Sequence, residues 1–231
     1  MTALAFLLRT PATAIALTVA AYAAALALHR RWRWIPPLVV ACLPLMALLV
    51  VAHVPFTDYN RGGAMLSWWL GPATVALAVP MFRHGRALRS SLVRLALIVF
   101  AGSVVGMASA GGVAWLLGAP RAVAMSTVPK SVTTPIAVEV ARSLGGIPEI
   151  TIALVMLAGI LGASFGVPLL RLVGVREDRA VGAAIGSASH GIGTASLIRR
   201  SEMQATVSSW AMAAAGVFTS VLGAILQWIV R

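Results

Sequence analysis

The sequence predicts an all-α integral membrane protein, and three observations support this fold class. Hydrophobic residues make up 60% of the 231 residues and charged residues only 10%, whereas soluble domains average roughly a quarter charged residues. The mean hydropathy is +0.94. Uncharged stretches of the length that crosses a bilayer as a helix, about 20 residues, recur along the chain. A water-soluble fold could not bury this much apolar surface, so we expect the chain to lie in lipid.

Six uncharged stretches are predicted to be full transmembrane helices, and two further segments are predicted to be broken or re-entrant. The six are residues 10–28, 34–52, 62–82, 95–120, 150–170 and 203–230. The two interrupted segments are residues 122–141 and 180–198. We interpret the first stretch as a retained helix rather than a cleaved signal peptide, because more basic residues follow it than precede it.

The arginines predict the orientation. The connections 29–33 and 83–94 are basic, whereas the polar loop 53–61 contains Asp58 and a single arginine. Basic loops face the cytoplasm, which places the N-terminus outside. The same rule favours re-entrant segments at 122–141 and 180–198 that enter from opposite faces, with crossed broken helices as the alternative. The net charge of +12 is explained by these loops, so we expect no nucleic-acid partner.

The whole chain, residues 1–231, is predicted to be one membrane domain. A weak internal match between residues 71–79 and 132–140 favours a duplication, with halves 1–118 and 119–231. Helical transporters often contain inverted repeats whose broken helices meet near the middle of the bilayer. We therefore expect a transporter-like architecture.

The first polar interruption, residues 127–137, contains two prolines and a lysine in an otherwise apolar region. Proline lacks a backbone donor and disfavours helix at the preceding residue. Thr134 at the N-cap followed by Pro135 predicts a new helix start, whose free amides attract anions. Ser131 and Thr133 can satisfy the amides that the break releases.

Lys130 stands directly before this predicted helix start. A lysine inside a membrane costs roughly 2.5–3.5 kcal/mol on insertion scales, and a carboxylate offsets that cost best. Three interpretations remain open: a carboxylate substrate, a structural pair with Glu139, or a side chain that extends to the interface. Glu139 is also a candidate to carry a coupled proton.

The second interruption, residues 186–196, combines glycines with hydroxyl residues and His190. Gly191 and Gly193 permit a sharp turn and a close backbone approach, and Gly193–Thr194 is predicted to open a second half-helix. Because histidine titrates near neutral pH, His190 suits proton coupling or hydrogen bonding to a carboxylate. A packed structural histidine is the alternative.

The remaining motifs give weaker indications of function. Asp58 and Asn60 lie in the predicted outer loop, as a turn or, alternatively, as a gating or partner contact. Residues 162–166 match the serine-hydrolase pattern Gly-x-Ser-x-Gly, but that motif needs a strand-to-helix elbow, so we expect no enzyme. Metal-binding and cofactor motifs are missing from the sequence.

Four motifs resemble the LrgB/CidB family over nearly the whole chain. They are residues 70–80, Pro-Lys-Ser-Val-Thr-Thr-Pro-Ile-Ala at 129–137, Gly145–Gly146, and His-Gly-Ile-Gly-Thr-Ala at 190–195. The resemblance implies a bacterial inner-membrane protein tied to murein-hydrolase control and holin-like behaviour. Some bacterial members are linked to pyruvate transport, and a related plastid protein moves glycolate and glycerate. A separate LrgA/CidA-type membrane partner is also implied.

Together these observations predict a secondary transporter of small monocarboxylates, for which proton coupling through Glu139 or His190 is one option. The alternative is a holin-like pore or a regulator of murein hydrolases and lysis, and a third interpretation is a subunit that transports only with its partner. A homo-oligomer is expected. The predicted substrate-binding residues are Lys130, Ser131, Thr133, Thr134, His190, Gly191, Gly193 and Thr194. The predicted coupling or gating residues are Glu139, Asp58 and Asn60.

Overall fold

The computed structural model describes residues 10–32, 37–69 and 91–230, together with six single positions between residues 72 and 89. All regular secondary structure in these described residues is helical, which confirms the all-α prediction. The chain forms two compact units, Met1–Ala76 and Leu77–Arg231.

The first unit contains helices α1 (Pro11–Arg31), α2 (Pro37–Val51) and α3 (Phe56–Trp68). Helix α3 packs closely on α1. A Cβ atom on Gly62 would lie 2.5 Å from the carbonyl oxygen of Pro11, and the hydroxyl oxygens of Tyr59 and Thr18 lie 2.6 Å apart. Glycine at position 62 therefore lets the two backbones approach.

The predicted polar loop 53–61 is wrong in part, because α3 already begins at Phe56. Pro55 occupies the N-cap position in an extended conformation, and Asp58 in the first turn interacts favourably with the helix dipole. Asp58 and Asn60 are consequently helical residues. The predicted span 62–82 begins within α3, but most of its positions beyond Trp69 lie outside the described residues.

Seven α-helices of the second unit have both ends within residues 91–230. They are α4 (Leu92–Leu116), α5 (Arg121–Thr127), α6 (Thr134–Ser143), α7 (Pro148–Leu161), α8 (Val167–Leu172), α9 (Asp178–Leu197) and α10 (Glu202–Val230). A π-helical turn, Gly162–Gly166, joins α7 to α8.

Four helical stretches in the described part of the chain are long and apolar enough to cross a bilayer. They are Pro11–Arg31, Leu92–Leu116, Pro148–Leu172 and Glu202–Ile229, and the shorter helix Pro37–Val51 is also apolar. These stretches coincide with five of the six predicted spans. The protein is therefore a multi-pass membrane protein.

The first interrupted segment is a helical hairpin, residues 121–146, called here the first hairpin. Helix α5 ends at Thr127 and α6 restarts at Thr134. At its base, the hydroxyl of Ser126 accepts a hydrogen bond from the Ile147 amide at 2.7 Å. The hydroxyl of Thr151 donates to the Ser126 carbonyl at 3.0 Å. The returning chain thus meets the end of α5.

The second interrupted segment is also a hairpin, residues 177–201, called here the second hairpin. Helix α9 is broken at His190, whose φ and ψ are 41° and −140°. The Asp178 carboxylate at its start accepts hydrogen bonds from the Ser201 hydroxyl at 2.5 Å and the Gln204 amide at 2.7 Å. A straight helix of 20 residues would hold its ends about 30 Å apart. The chain therefore folds back on itself.

The two hairpins enter from opposite ends of the stretch Pro148–Leu172. The base of the first hairpin contacts Thr151, near the start of this stretch. Val181 and Leu197, near the base of the second hairpin, pack with Val167 at the other end. The structure therefore has the re-entrant geometry that the arginine pattern favours.

Candidate functional site

The tips of the two hairpins meet beside the middle of α7. His190 at the second tip donates a hydrogen bond from Nε2 to the carbonyl oxygen of Val155 at 3.0 Å. Val155 shares a buried cluster with Val132, at the first tip, and with Ala137 of α6. A Cβ atom on Gly159 would lie 2.8 Å from the His190 ring. Helix α7 is thus the surface on which both tips pack.

A small cavity lies between the two hairpins. Ser131 of the first hairpin and Ser187 of the second both line it, together with Ser103 and Gly106 of α4 and Thr219 of α10. Its volume is about 10 Å³, which is room for roughly one water molecule. Two segments that lie far apart in the sequence therefore contribute to one polar space.

Lys130 lies at the first tip with its side chain partly buried. Its Nζ donates a hydrogen bond to the Ser131 hydroxyl at 3.3 Å. No carboxylate of the described residues forms an ion pair with this ammonium. Because Ser131 acts as the acceptor, its own hydroxyl proton remains free for another partner. Lys130 and Ser131 together therefore offer a positive charge and a donor to an anion.

Glu139 is the partner of Arg142, not of Lys130. The carboxylate and guanidinium lie 3.1 Å apart, with side chains 71% and 60% exposed. Such an exposed pair contributes about 0–1 kcal/mol. The interpretation in which Glu139 neutralises Lys130 is therefore wrong in this structure.

Helix α6 begins one residue earlier than predicted. Thr133 is the N-cap residue, with φ −61° and ψ 144°, and its side chain makes no capping hydrogen bond. The first-turn amides of Thr134 and Ile136 are donors without an intrahelical acceptor, because the first bond of the helix runs from Ala137 to the Thr133 carbonyl. Pro135 lacks a donor, so this turn presents two amides.

The predicted helix start at Gly193–Thr194 is wrong by about three residues, because the break lies at His190. The Thr194 hydroxyl donates to the His190 carbonyl at 2.8 Å and lies 2.8 Å from the Ser208 hydroxyl of α10. A Cβ atom on Gly193 would lie 2.5 Å from the Ser189 Cβ atom. Gly193 thus lets the two halves of the hairpin pack closely, and Thr194 connects the second half to α10. Gly191 follows the break and is partly buried.

His190 has a strained backbone. A positive φ with ψ near −140° is a conformation that glycine adopts easily, and a residue with a side chain adopts it at a cost of about 1–3 kcal/mol. Gly159 of α7 leaves room for the His190 ring, and Gly162 of the π-helical turn leaves room for Ser189. Strain of this kind persists only where the surrounding packing maintains it, and it clusters at functional sites. The break at His190 is therefore a candidate functional feature.

The LrgB-like family model matches residues 18–229 of the chain. The chain belongs to the LrgB-like family. Protein YxaC of Bacillus subtilis (strain 168) is 34% identical to this LrgB-like chain over 217 residues, which are 93% of the chain and 94% of YxaC. The antiholin-like protein LrgB of Bacillus mycoides (strain KBAB4) is 33% identical over 186 residues, 80% of the chain and 81% of that protein. No solved structure matches it significantly.

Not every predicted site residue of this LrgB-like chain lies in the second unit, which contains both hairpins. Asp58 and Asn60 belong to the first compact unit, whereas Lys130 and His190 belong to the second. The gating role of Asp58 and Asn60 stays a prediction.

Sequence reasoning missed the contributions of α4 and α10. Ser103 and Gly106 of α4 and Thr219 of α10 line the cavity, and Ser208 of α10 bonds Thr194. The available signal was the presence of hydroxyl residues inside uncharged spans. Polar residues inside membrane segments usually face the bundle interior.

The Gly-x-Ser-x-Gly match at 162–166 forms the π-helical turn of this LrgB-like chain, and Phe165 within it is exposed. A serine-hydrolase elbow requires a strand that leads into a helix. The described residues contain no strand. Gly162 instead makes room for Ser189, because a Cβ atom there would collide with the Ser189 side chain.

Proposed function

We propose that this protein is a secondary transporter of small monocarboxylates of the pyruvate, glycolate, glycerate or lactate type. One observation carries the proposal: the partly buried ammonium of Lys130, unpaired with any described carboxylate, lies at a hairpin tip beside a cavity that the other hairpin also lines. An ammonium inside a membrane costs several kcal/mol unless it is compensated. A substrate carboxylate would supply that compensation.

Each residue of the site has a role in the proposed binding. Lys130 neutralises the carboxylate, and Ser131 donates its free proton. The first-turn amides after Thr133, beginning with that of Thr134, add partial positive charge. At the other tip, His190 Nε2 is a donor because a carbonyl can only accept, which leaves Nδ1 to accept a substrate hydroxyl or a coupled proton.

Gly191, Gly193 and Thr194 act by shaping the second tip, since Thr194 is engaged with the His190 carbonyl and Ser208. Glu139 and Arg142 lie on the returning arm of the first hairpin. A gating role for Glu139 would therefore involve opening or closing the exposed side of that arm.

Alternating access is supported by the order of elements in the second unit. A long helix followed by a hairpin occurs twice, first as α4 with the first hairpin and then as α7–α8 with the second hairpin. The two pairs run in opposite directions, as in transporters whose repeats rock about a central site. The division into halves 1–118 and 119–231 remains a prediction.

We further propose a bacterial inner-membrane location with the N-terminus outside, on the basis of the arginine pattern. An LrgA/CidA-type membrane protein is the proposed partner, by analogy with the family, and a homo-oligomer is also proposed.

A second candidate function is a holin-like pore or a regulator of murein hydrolases and lysis. The name of the Bacillus mycoides relative, antiholin-like protein LrgB, favours this function over a carrier. A pore would pass solutes according to size, without saturation. A subunit that is active only with its partner is a third possibility, which co-expression would reveal.

The test is uptake of labelled pyruvate, glycolate and lactate into liposomes that contain the purified protein, with a dye-leak assay in parallel. We expect saturable uptake in the wild type, loss in Lys130→Ala, and retention in Arg199→Ala, a control that removes an exposed cation from the second hairpin. Equal thermal unfolding of the two variants excludes misfolding. Uptake that is absent from the wild type with every acid, alone and with the partner, contradicts the proposal, and size-graded dye leakage supports the pore.

A further inference from the structure

We propose that the cavity between the two hairpins receives the end of the substrate that is remote from its carboxylate, and that Gly106 of α4 and Thr219 of α10 limit the size of that end. This inference rests on the proposed function. It assigns a specificity role to two helices that lie outside both interrupted segments.

The position of the cavity fits this role. Ser131, which bonds the Lys130 ammonium at 3.3 Å, is itself a cavity-lining residue. A carboxylate bound at Lys130 and Ser131 therefore has its remaining atoms next to the cavity. The space of about 10 Å³ accepts one group of the size of a water, a hydroxyl or a methyl.

Two hydroxyl groups that line the cavity have defined hydrogen-bonding roles. Ser103 donates its proton to the Val99 carbonyl at 2.9 Å, and Ser187 donates to the Ala183 carbonyl at 2.7 Å. Both protons are therefore used within the helices, and the oxygens of the two side chains remain acceptors. The wall can accept a hydrogen bond from a hydroxyl on the substrate.

Helix α4 forms the adjustable wall of the cavity. Gly106 lines the cavity, and a Cβ atom built on it meets no atom within 4 Å outside its own helix, so alanine is accommodated at this lining position without a collision. Gly112, six residues further along α4, is equally free of neighbours but is not a lining residue. The pair provides a substitution at a cavity-lining position and a matched one away from the cavity.

Thr219 provides the opposite change. The residue is 3% exposed and lines the cavity from α10. Thr219→Ser removes one methyl group and keeps the hydroxyl, so the space grows by about one carbon. The two variants together shift the size limit in both directions.

The test measures the uptake efficiency of glycolate, lactate, 2-hydroxybutyrate and 2-hydroxyvalerate in liposomes for the wild type, Gly106→Ala, Thr219→Ser and Gly112→Ala. One added methylene changes discrimination by about 10–200-fold in a tight pocket. We expect Gly106→Ala to lower uptake of the longer acids, relative to glycolate, by at least about tenfold. Thr219→Ser should raise relative uptake of the longer acids, and Gly112→Ala should match the wild type.

Two outcomes overturn the inference in different ways. Suppose that the wild type transports the acids and that Gly106→Ala and Thr219→Ser both show its relative uptake of short and long acids. The cavity then does not limit substrate size, whereas the proposed function stands. If the wild type transports none of them, the proposed function fails and this inference fails with it. A profile that changes in Thr219→Ser alone supports the inference even where Gly106→Ala is poorly folded.

Discussion

His190 Nε2 lies 3.0 Å from the carbonyl oxygen of Val155, so the tip of the second hairpin is bound to the helix that begins at the base of the first. Val155 in turn packs with Val132 at the first tip. One residue of α7 therefore connects both interruptions of the chain. In the proposed carrier, movement of either tip would therefore change the contacts of Val155.

The backbone and the side chain of His190 can be separated by two substitutions. His190→Gly suits the positive φ of 41° but removes the ring, whereas His190→Ala removes the ring and keeps the strain. We expect both variants to lose uptake, and we expect His190→Gly to unfold at a higher temperature than His190→Ala, because only glycine relieves about 1–3 kcal/mol of strain. Thermal unfolding in detergent and liposome uptake measure the two effects. Full uptake in His190→Gly would show that the ring has no functional role.

Close packing of α9 on α10 depends on Gly186. A Cβ atom there would collide with the Ser208 carbonyl oxygen of α10, and over-packing of this kind costs about 1–3 kcal/mol. We therefore expect Gly186→Ala to lower the unfolding temperature clearly. Gly112→Ala is the control, since its Cβ atom would meet no neighbour and alanine favours the helix. Equal unfolding temperatures for the two variants would contradict the described packing.

Ser126 stabilises the base of the first hairpin. Its hydroxyl is fully buried, accepts from the Ile147 amide at 2.7 Å and donates to the Ala122 carbonyl at 2.7 Å. Ser126→Ala leaves that amide without its acceptor, at a cost of about 1–3 kcal/mol. Ser109→Ala, which removes an exposed hydroxyl bonded only within α4, should change stability little. Hydrogen exchange at Ile147 should accelerate in the first variant; unchanged exchange there would show that Ser126 does not hold the turn.

Asp178 makes the stability of the second hairpin sensitive to acid. Hydrogen bonds from Ser201 and then Gln204 hold the pKa of its carboxyl below the ordinary value of 3.8. A carboxyl whose pKa is lowered on folding stabilises the fold above its unfolded pKa, and this contribution is lost as the pH falls through the folded pKa. The wild type should therefore exceed Asp178→Asn in unfolding temperature at pH 6, and the difference should shrink below about pH 4. A difference that is independent of pH would show that the carboxylate charge is not involved.

The sequence predicted the existence of both interruptions because their chemistry is local. Pro129 and Pro135 break a helix wherever they occur, and Lys130 in an apolar region demands an explanation. The arginine pattern indicated hairpins that enter from opposite faces, because charge placement does not depend on detailed packing.

The sequence could not place the second break at His190, because the break depends on tertiary packing. Glycines at 191 and 193 indicated a turn nearby, but the strained residue is a histidine that Val155, Gly159 and Thr194 hold in place. The cavity wall from α4 and α10 was missed for the same reason. A hydroxyl residue inside a span, such as Thr219, indicates which face of the helix points to the protein interior. It does not indicate which residues that face contacts.

The most direct test of the central claim, that a carboxylate neutralises Lys130 at the meeting point of the two hairpins, is counterflow in liposomes. Vesicles loaded with unlabelled lactate are diluted into a trace of labelled lactate, and accumulation of label is followed for the wild type, Lys130→Ala and Arg199→Ala. The account predicts a transient accumulation above equilibrium for the wild type and Arg199→Ala, and none for Lys130→Ala. An equal overshoot in Lys130→Ala, or simple equilibration in the wild type, would contradict it.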